Sequence, residues 1–223
     1  MHRFCPALGH VRASAGTGSC GIATLGEPDG LSALGEQRAH LRGGRSMRIL
    51  VVSDTHGDPR GLVAVLSKLG RSVQMLVHLG DGVSDVEAAA RYGSPMPPSY
   101  VVRGNVDTDW STPSIRQLWA FDRKILAAHG HMYLKGDSFQ PFIKAARREG
   151  AQAFFFGHTH IPFWAVMNGI LLLNPGSLTR PRGNFGPSFA IVEAPPAGMG
   201  PFDVKMYQLI GSASRPRFSV IRP

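Results

Sequence analysis

One alternation constrains this chain more than any other feature. From Met47 onward, short apolar runs alternate with helical patterns: strand 48–53, helix 59–69, strand 74–79, helix 84–91 and strand 99–103. Parallel strands joined by helices cross over in the right-handed sense, so the early sheet is expected to be largely parallel, with ligands collecting beyond the carboxyl ends of its strands. The later chain reads differently, with strands near 163–167, 170–173, 188–193 and 202–209, Gly and Pro turns, and one clear helix at about 138–149. That pattern predicts a second, mainly antiparallel sheet packed on the first as a sandwich with helices outside. A length of 223 residues suits one α/β domain with a buried core better than two. There is no internal repeat and no sign of a cap domain.

Residues 1–46 are rich in Gly, Ala and Ser and lack hydrophobic periodicity. They are expected to be a disordered N-terminal extension or a misassigned start, followed by a domain over 47–210 and a tail over 211–223. The early segment has no continuous apolar stretch of the kind a secretory signal needs, and Glu27, Asp29 and Glu36 are unusual for a transit peptide. Both cysteines, Cys5 and Cys20, lie within it, which excludes a cysteine nucleophile or thiolate ligand from the rest of the chain. The absence of a disulfide framework points to a reducing compartment, the cytoplasm. No apolar run approaches the roughly 20 residues of a bilayer span, so a membrane partner is not expected.

The net charge of +9 favours an anionic partner. Arg60, Lys68, Arg71, Arg91, Arg103 and Arg116 are scattered and form no run of five, so no nucleic-acid arm is visible and a small phosphorylated substrate fits equally well.

The residues that follow the strands carry the chemistry. Asp54 and His56 follow the first strand, Asp81 the second, Asn105 the third, His129 the strand 124–128, and His158 and His160 the run 153–156. Singly, a Gly-Asp or Gly-Asn pair is usually a turn; five such blocks, each at a strand end, are another matter. Hydrolysis of a phosphate ester needs a strong nucleophile beside an anion that repels it, and two metal ions roughly 3.5–4 Å apart meet both demands. Such a pair takes neutral imidazoles and a carboxylate able to bridge. The chain supplies that inventory.

In order, Asp54-Thr55-His56, Gly80-Asp81, Gly104-Asn105, His129-Gly130-His131 and Gly157-His158-Thr159-His160 resemble the motif series of the calcineurin-like metallophosphoesterases, over about 47–210. The likeness is greatest to the small, cap-free YfcE-type phosphodiesterases, which share the segment Asn174-Pro175-Gly176-Ser177. The resemblance implies an α/β sandwich of two mixed β-sheets flanked by helices. It also implies a dinuclear site in which Asp54, His56 and His160 hold one metal, Asn105, His129 and His158 the other, and Asp81 bridges them. The implied reaction is in-line attack on phosphorus by a hydroxide that bridges two divalent ions. Manganese is expected first, with nickel, iron, cobalt and zinc compatible with the same ligands.

Much of the superfamily carries a histidine after Gly-Asn; here Val106 stands there and can neither donate a proton nor bind phosphate. The YfcE-type branch lacks this histidine too, which favours a small phosphodiester as substrate over a monoester. Two rival readings are a nuclease, favoured by charge, and a non-catalytic interaction scaffold such as the retromer subunit of this fold. Full retention of the ligand set weighs against the scaffold; the missing loop histidine and cap weigh against the nuclease.

Among the remaining residues, Arg180 is a candidate phosphate contact in the loop after Ser177, as is Arg182, and His131 is a candidate substrate contact or a merely packed side chain. Asp107 is read either as orienting a metal-binding histidine or as a solvated turn carboxylate, and His78 as a core histidine bonded to backbone. Trp110, Trp119 and Trp164 are read as packing residues rather than base-stacking platforms. Exposed edge strands leave a homodimer open.

Overall fold

The structure is a computed structural model that describes residues 37–39, 46–134, 136, 138–212 and 215–222. Most of 1–46, expected to be disordered or misassigned, lies outside the described residues.

Among the described residues, twelve strands form two six-stranded sheets. The first sheet takes β2 (Met47–Val52), β3 (Met75–His78) and β4 (Ser99–Val101), all parallel, and continues on the other side of β2 through β10 (Ser188–Ala194), β11 (Asp203–Ser212) and β12 (Arg215–Ile221), all antiparallel. The second contains β1 (Gln37–Ala39), β5 (Ile115–Ala120), β6 (Arg123–Ala128), β7 (Ala153–Phe155), β9 (Ile170–Pro175) and β8 (Pro162–Met167), in that spatial order. Both sheets are therefore mixed. In the second, β6, β7 and β9 run parallel, while the β5–β6 and β8–β9 hairpins are antiparallel.

Two expectations need correction. The late strands do not build a separate antiparallel sheet: β10 returns to pair with β2, so that the first sheet holds the beginning and the end of the domain. Nor are residues beyond 210 only a tail. β12 is a full edge strand, registered on β11 from Met206↔Ile221 to Ser212↔Arg215, and Phe218 sets its ring against Phe189, with centroids 5.0 Å apart.

The period-2 alternation of each strand sorts side chains into three cores. Ile49, Val51 and Val77 of the first sheet meet Ile125, Ala127, Phe155 and Leu173 of the second between the sheets. On the outer face of the first sheet, Leu50, Val52 and Leu76 receive Leu62, Val65 and Leu66 of α1 (Arg60–Leu69) and Val86 and Ala89 of α2 (Val83–Arg91). On the outer face of the second, Leu126, Phe154 and Phe156 receive Phe142, Ile143 and Ala146 of α3 (Gln140–Arg148), whose first turn carries Pro141, where the missing N–H costs nothing. The result is a four-layer sandwich with no cap domain among the described residues. Among the described residues, no helix is long and apolar enough to cross a membrane.

Phe155 is fully buried in the inter-sheet core immediately before the Gly157–His160 loop, whereas Val166, on edge strand β8, is 69% exposed. Phe155→Ala is expected to cost about 3–5 kcal/mol, and Val166→Ala no more than about 0.5 kcal/mol. Urea unfolding followed by far-UV circular dichroism measures both.

Candidate metal centre

The carboxyl ends of β2, β3, β4, β6 and β7 lie along one edge of the sandwich, and all seven expected ligands follow them. Five of the seven have left-handed backbones: Asp54 (φ 56°), His56 (47°), Asp81 (53°), His158 (69°) and His160 (62°). Residues other than glycine held there cost roughly 1–3 kcal/mol each and persist only where their surroundings over-determine them. Here the loops are laced to one another: Asp54 N–H donates to Gly80 O at 3.0 Å, His56 N–H to Asp81 O at 2.7 Å and Gly157 N–H to His129 O at 2.9 Å. Two glycines are obligatory for this approach. A β-carbon on Gly104 would stand 2.0 Å from Asp81 Oδ1, and one on Gly157 2.0 Å from Ser53 Oγ.

Ligand-type atoms of Asp54, His56, Asp81 and His160 all lie within 4.8 Å of one another. Asp54 Oδ1 is 3.2 Å from His160 Nε2, 3.8 Å from His56 Nε2 and 4.0 Å from His129 Nε2. Asp81 Oδ2 stands between two groups of imidazoles, 3.9 Å from His56 Nε2 and 3.4 Å from His129 Nε2. Asn105 Oδ1 lies 3.1 Å from His129 Nε2, and the His158 ring packs edge-on against that of His129, with centroids 5.1 Å apart. The structure thus brings all seven residues together.

These atoms face one another in a way that calls for a cation. His160 donates from Nδ1 to the carbonyl of Arg180 at 2.6 Å, and His129 from Nδ1 to that of Leu79 at 2.7 Å. A neutral imidazole bonded in this way carries a lone pair on Nε2; that of His160 stands beside Asp54 Oδ1 and 3.1 Å from His56 Nε2, and that of His129 beside Asp81 Oδ2 and Asn105 Oδ1. Acceptors meeting acceptors at such distances repel unless a proton or a metal lies between them. Asp54 Oδ1 is moreover buried without a hydrogen-bond partner, while Asp54 Oδ2 accepts from His158 N–H at 3.2 Å. An orphaned carboxylate oxygen amid imidazole nitrogens, with a second carboxylate and an amide oxygen alongside, is a donor set suited to divalent transition metals.

The histidines differ in their titration. Burial lowers the pKa of His56 and of His158, outweighing the Asp54 and Asp81 charges that raise it, and favours the neutral form that can ligate. For His129, burial also pulls downward, but the hydrogen bond to Asp81 and the charges of Asp54 and Asp81 prevail and the net direction is up. Burial would raise Asp81, yet the hydrogen bond and charge of His129 bring it down to about 2.

Several residues that shape the site touch no ligand-type atom facing the cleft. Asp107 neither orients a histidine nor sits solvated in a turn. Its Oδ2 accepts from the N–H groups of Asp81 and Gly104, each at 2.8 Å, and its Oδ1 from those of Gly82 (2.9 Å) and Val83 (3.0 Å). It clamps the Gly-Asp loop to the Gly-Asn loop and places a carboxylate at the N-terminus of α2. Asp85, buried, accepts from Gly57 N–H at 2.9 Å. Asn174 donates to Gly157 O (2.8 Å) and Thr159 Oγ1 (3.0 Å), and Ser177 Oγ donates to Asp54 O (2.7 Å), so Asn174-Pro175-Gly176-Ser177 braces the first and last ligand loops. Sequence offered the spacing of that segment as a signal and marked Asp107 without its partners; for the clamp across the two loops and for Asp85 it offered none, because Asp81, Gly82 and Val83 lie more than twenty residues from Asp107, and Gly57 from Asp85.

Arg180 is exposed and lines the cleft with His56 and Asp81; Arg182 lines it with His158 and His160. His131 packs its ring 5.5 Å from that of His129 and 6.1 Å from that of His158, with Nδ1 buried and unpartnered. Val106 is 54% exposed at the cleft, its N–H bonded to Asp81 Oδ1 at 3.1 Å. His78 is the core histidine expected: it accepts from Gly80 N–H, pairs with Thr55 Oγ1 at 3.0 Å, and is held by burial at a pKa of about 4. Trp110 is not a packing residue in any core, being 79% exposed beneath the Arg103 guanidinium at 4.0 Å.

Known proteins with the same pattern extend along most of the domain. A sequence model of the calcineurin-like phosphoesterase superfamily domain matches residues 47–195. The probable metallophosphoesterase YsnB of Bacillus subtilis is 32% identical over 146 residues, 66% of this chain and 83% of its own. Phosphodiesterase YfcE of Escherichia coli is 25% identical over 168 residues, 66% of this chain and 88% of its own. A predicted phosphoesterase of Streptococcus pneumoniae superposes with a TM-score of 0.64 at 25% identity, over 80% of this chain and 100% of that one. With the matched domain carrying the strand-end aspartates, asparagine and histidines described above, the chain belongs to the calcineurin-like phosphoesterase superfamily.

Proposed function

We propose that the protein is a metal-dependent phosphodiesterase with a dinuclear centre. The observation that carries this reading is the convergence of imidazole Nε2 atoms on two carboxylates, one of which, Asp54, has a buried oxygen left without a hydrogen bond. In this reading Asp54, His56 and His160 hold one ion, Asn105, His129 and His158 hold a second, and Asp81 joins the two. The chemistry that a pair of divalent ions supplies when bound is activation of water and neutralisation of phosphate charge. Arg180, exposed above His56 and Asp81, offers a guanidinium to a non-reacting phosphate oxygen, and His131 a ring nitrogen from the side of His129 and His158.

A diester fits better than a monoester because of Val106. Its side chain presents only methyl groups to the cleft where relatives of the wider superfamily place a proton donor. Without such a donor, esters with a poor leaving group forfeit about 10²–10⁴-fold in rate, whereas activated diesters do not. A single-charged diester also asks less of the site than a doubly charged monoester. A small substrate is favoured over nucleic acid because the described residues add no cap or extended basic arm to the domain.

Metal-stripped protein is expected to be inactive on bis(p-nitrophenyl) phosphate, to recover with manganese, and to hydrolyse this diester faster than p-nitrophenyl phosphate. His158→Ala should abolish the recovered activity. Turnover of the diester after exhaustive chelation, or a monoester preference, would refute the proposal, and inactivity under every metal would return the scaffold reading to the front.

Protonation competes with metal at the imidazoles, and most strongly at His129, whose pKa is displaced upward by Asp81 and Asp54 despite burial. Below the ordinary histidine value of about 6.5 metal-dependent activity should fall steeply, and excess manganese should shift the acid limb to lower pH. A rate profile from pH 5 to 9 at two metal concentrations checks this.

Asp107→Asn removes an acceptor from a carboxylate that satisfies four backbone N–H groups on both sides of Asp81. Metal affinity is expected to drop roughly 10–100-fold, measured by calorimetric titration with manganese.

A further inference from the structure

The cleft over the candidate metal ligands is unlike on its two sides. On one side it is polar, lined by His56, Asp81, Asp107, Asp109 and Arg180. On the other it opens, past His158 and Arg182, into a cavity of about 560 Å³ walled by Phe139, Phe156, Ile161 and Phe163. His158 and Arg182 line both this cavity and the cleft that holds Asp81, Asn105 and His160, so the two spaces adjoin at these side chains.

The walls are built, not incidental. Phe156 is 1% exposed and belongs to the core under α3. Phe139 and Phe163, both partly buried, stack with centroids 4.5 Å apart and planes 15° from parallel, and each lies within 6.3 Å of Phe156. Ile161, although apolar and next to His160, is 41% exposed. Pro162 beside it is buried, which anchors the start of β8 and holds this rim in place. The volume falls within the roughly 300–1,000 Å³ of small-molecule sites, and an apolar wall with a few polar groups at its mouth is their usual chemistry.

Resting on the phosphodiesterase reading, we infer that this cavity receives a flat, uncharged aromatic ring on one ester arm of the substrate. The phosphate lies over the ligands with Arg182 at the junction. A guanidinium is suited to that position, since it pairs with phosphate oxygens through its edge and stacks on aromatic rings through its face. Phe139 and Phe163, backed by the buried Phe156, give a further ring offset and edge-on partners that an aliphatic arm would not exploit. The substrate class is therefore an unsymmetrical phosphodiester with one aromatic arm, and the polar side of the cleft accommodates the other arm.

Phenylphosphonate and methylphosphonate carry the same anion, cannot be hydrolysed, and differ only in the aromatic arm. Calorimetric titration of the manganese-loaded protein should show the phenyl compound binding tighter by roughly tenfold. Phe163→Ala, which opens the aromatic wall, and Ile161→Gln, which changes only an exposed rim residue and so preserves the core, should each reduce that ratio to about twofold or less. Equal affinities in the wild type, or a ratio unchanged in both variants, would overturn the inference. The same preparations are assayed on bis(p-nitrophenyl) phosphate. Hydrolysis without phenyl preference sinks the aromatic subsite alone. Phenyl preference without hydrolysis supports the cavity as an aromatic-anion site and removes the phosphodiesterase reading instead.

Discussion

The edge of the sandwich is organised around an electrostatic demand: Asp54, with no exposed surface, has one carboxylate oxygen without a hydrogen bond among the Nε2 atoms of His160, His56 and His129. Removing a carboxylate from water without a partner costs several kcal/mol. The surroundings of the other oxygen show how much of that cost the protein meets by itself, since Oδ2 takes only the N–H of His158 at 3.2 Å. The remainder is what a cation held among these side chains would supply. The same demand explains why the two histidines bonded to backbone carbonyls are bonded through Nδ1, for that choice keeps Nε2 free and aimed.

Meeting this demand requires both sheets. Asp54, His56, Asp81 and Asn105 come from the first sheet and its loops, His129, His158 and His160 from the second, so the distance between the two ligand groups is set by how the sheets pack. Ile49, Val51, Phe155 and Leu173 fill that interface at essentially zero exposure. Close packing of this kind holds the opposing strand ends in place, because a packed interior yields little to local strain. The left-handed backbones at five ligand positions then become tolerable, since Asp107, Asn174 and Ser177 over-determine the loops from outside.

Much of the fold was legible because its strands are short apolar runs bounded by glycine. The helices and nearly all the strands after Met47 lie within a few residues of the pattern read from the chain. β5 was not read: in Ile115-Arg116-Gln117-Leu118-Trp119-Ala120 polar residues break the run, although the strand is only partly buried and tolerates them. β12 was read as tail for a related reason, its alternate residues being exposed along a sheet edge. The sheet to which β10 belongs could not be read at all. Its pairing with β2 joins residues about 140 positions apart, such as Ala190 and Val51, and local hydrophobicity carries no record of partner identity. Within the site, the candidate ligands were legible and their supports were not. Aspartate, asparagine and histidine at strand ends announce themselves by chemistry, whereas Asp107 looks like any turn carboxylate until the Gly-Asp loop is brought beside it.

The sequence alone determined the residue types, their order along the chain and their placement just after apolar runs, because metal chemistry restricts the donors and strand periodicity is a local property. Tertiary structure alone decided that Asp81 stands between two imidazole groups and that Asp54 keeps one oxygen unpaired. It alone decided that Phe139, Phe156 and Phe163 form one wall beside the cleft, and that the last strands close the first sheet. These are distances between atoms remote in sequence, and they exist only once the two sheets have been packed and registered.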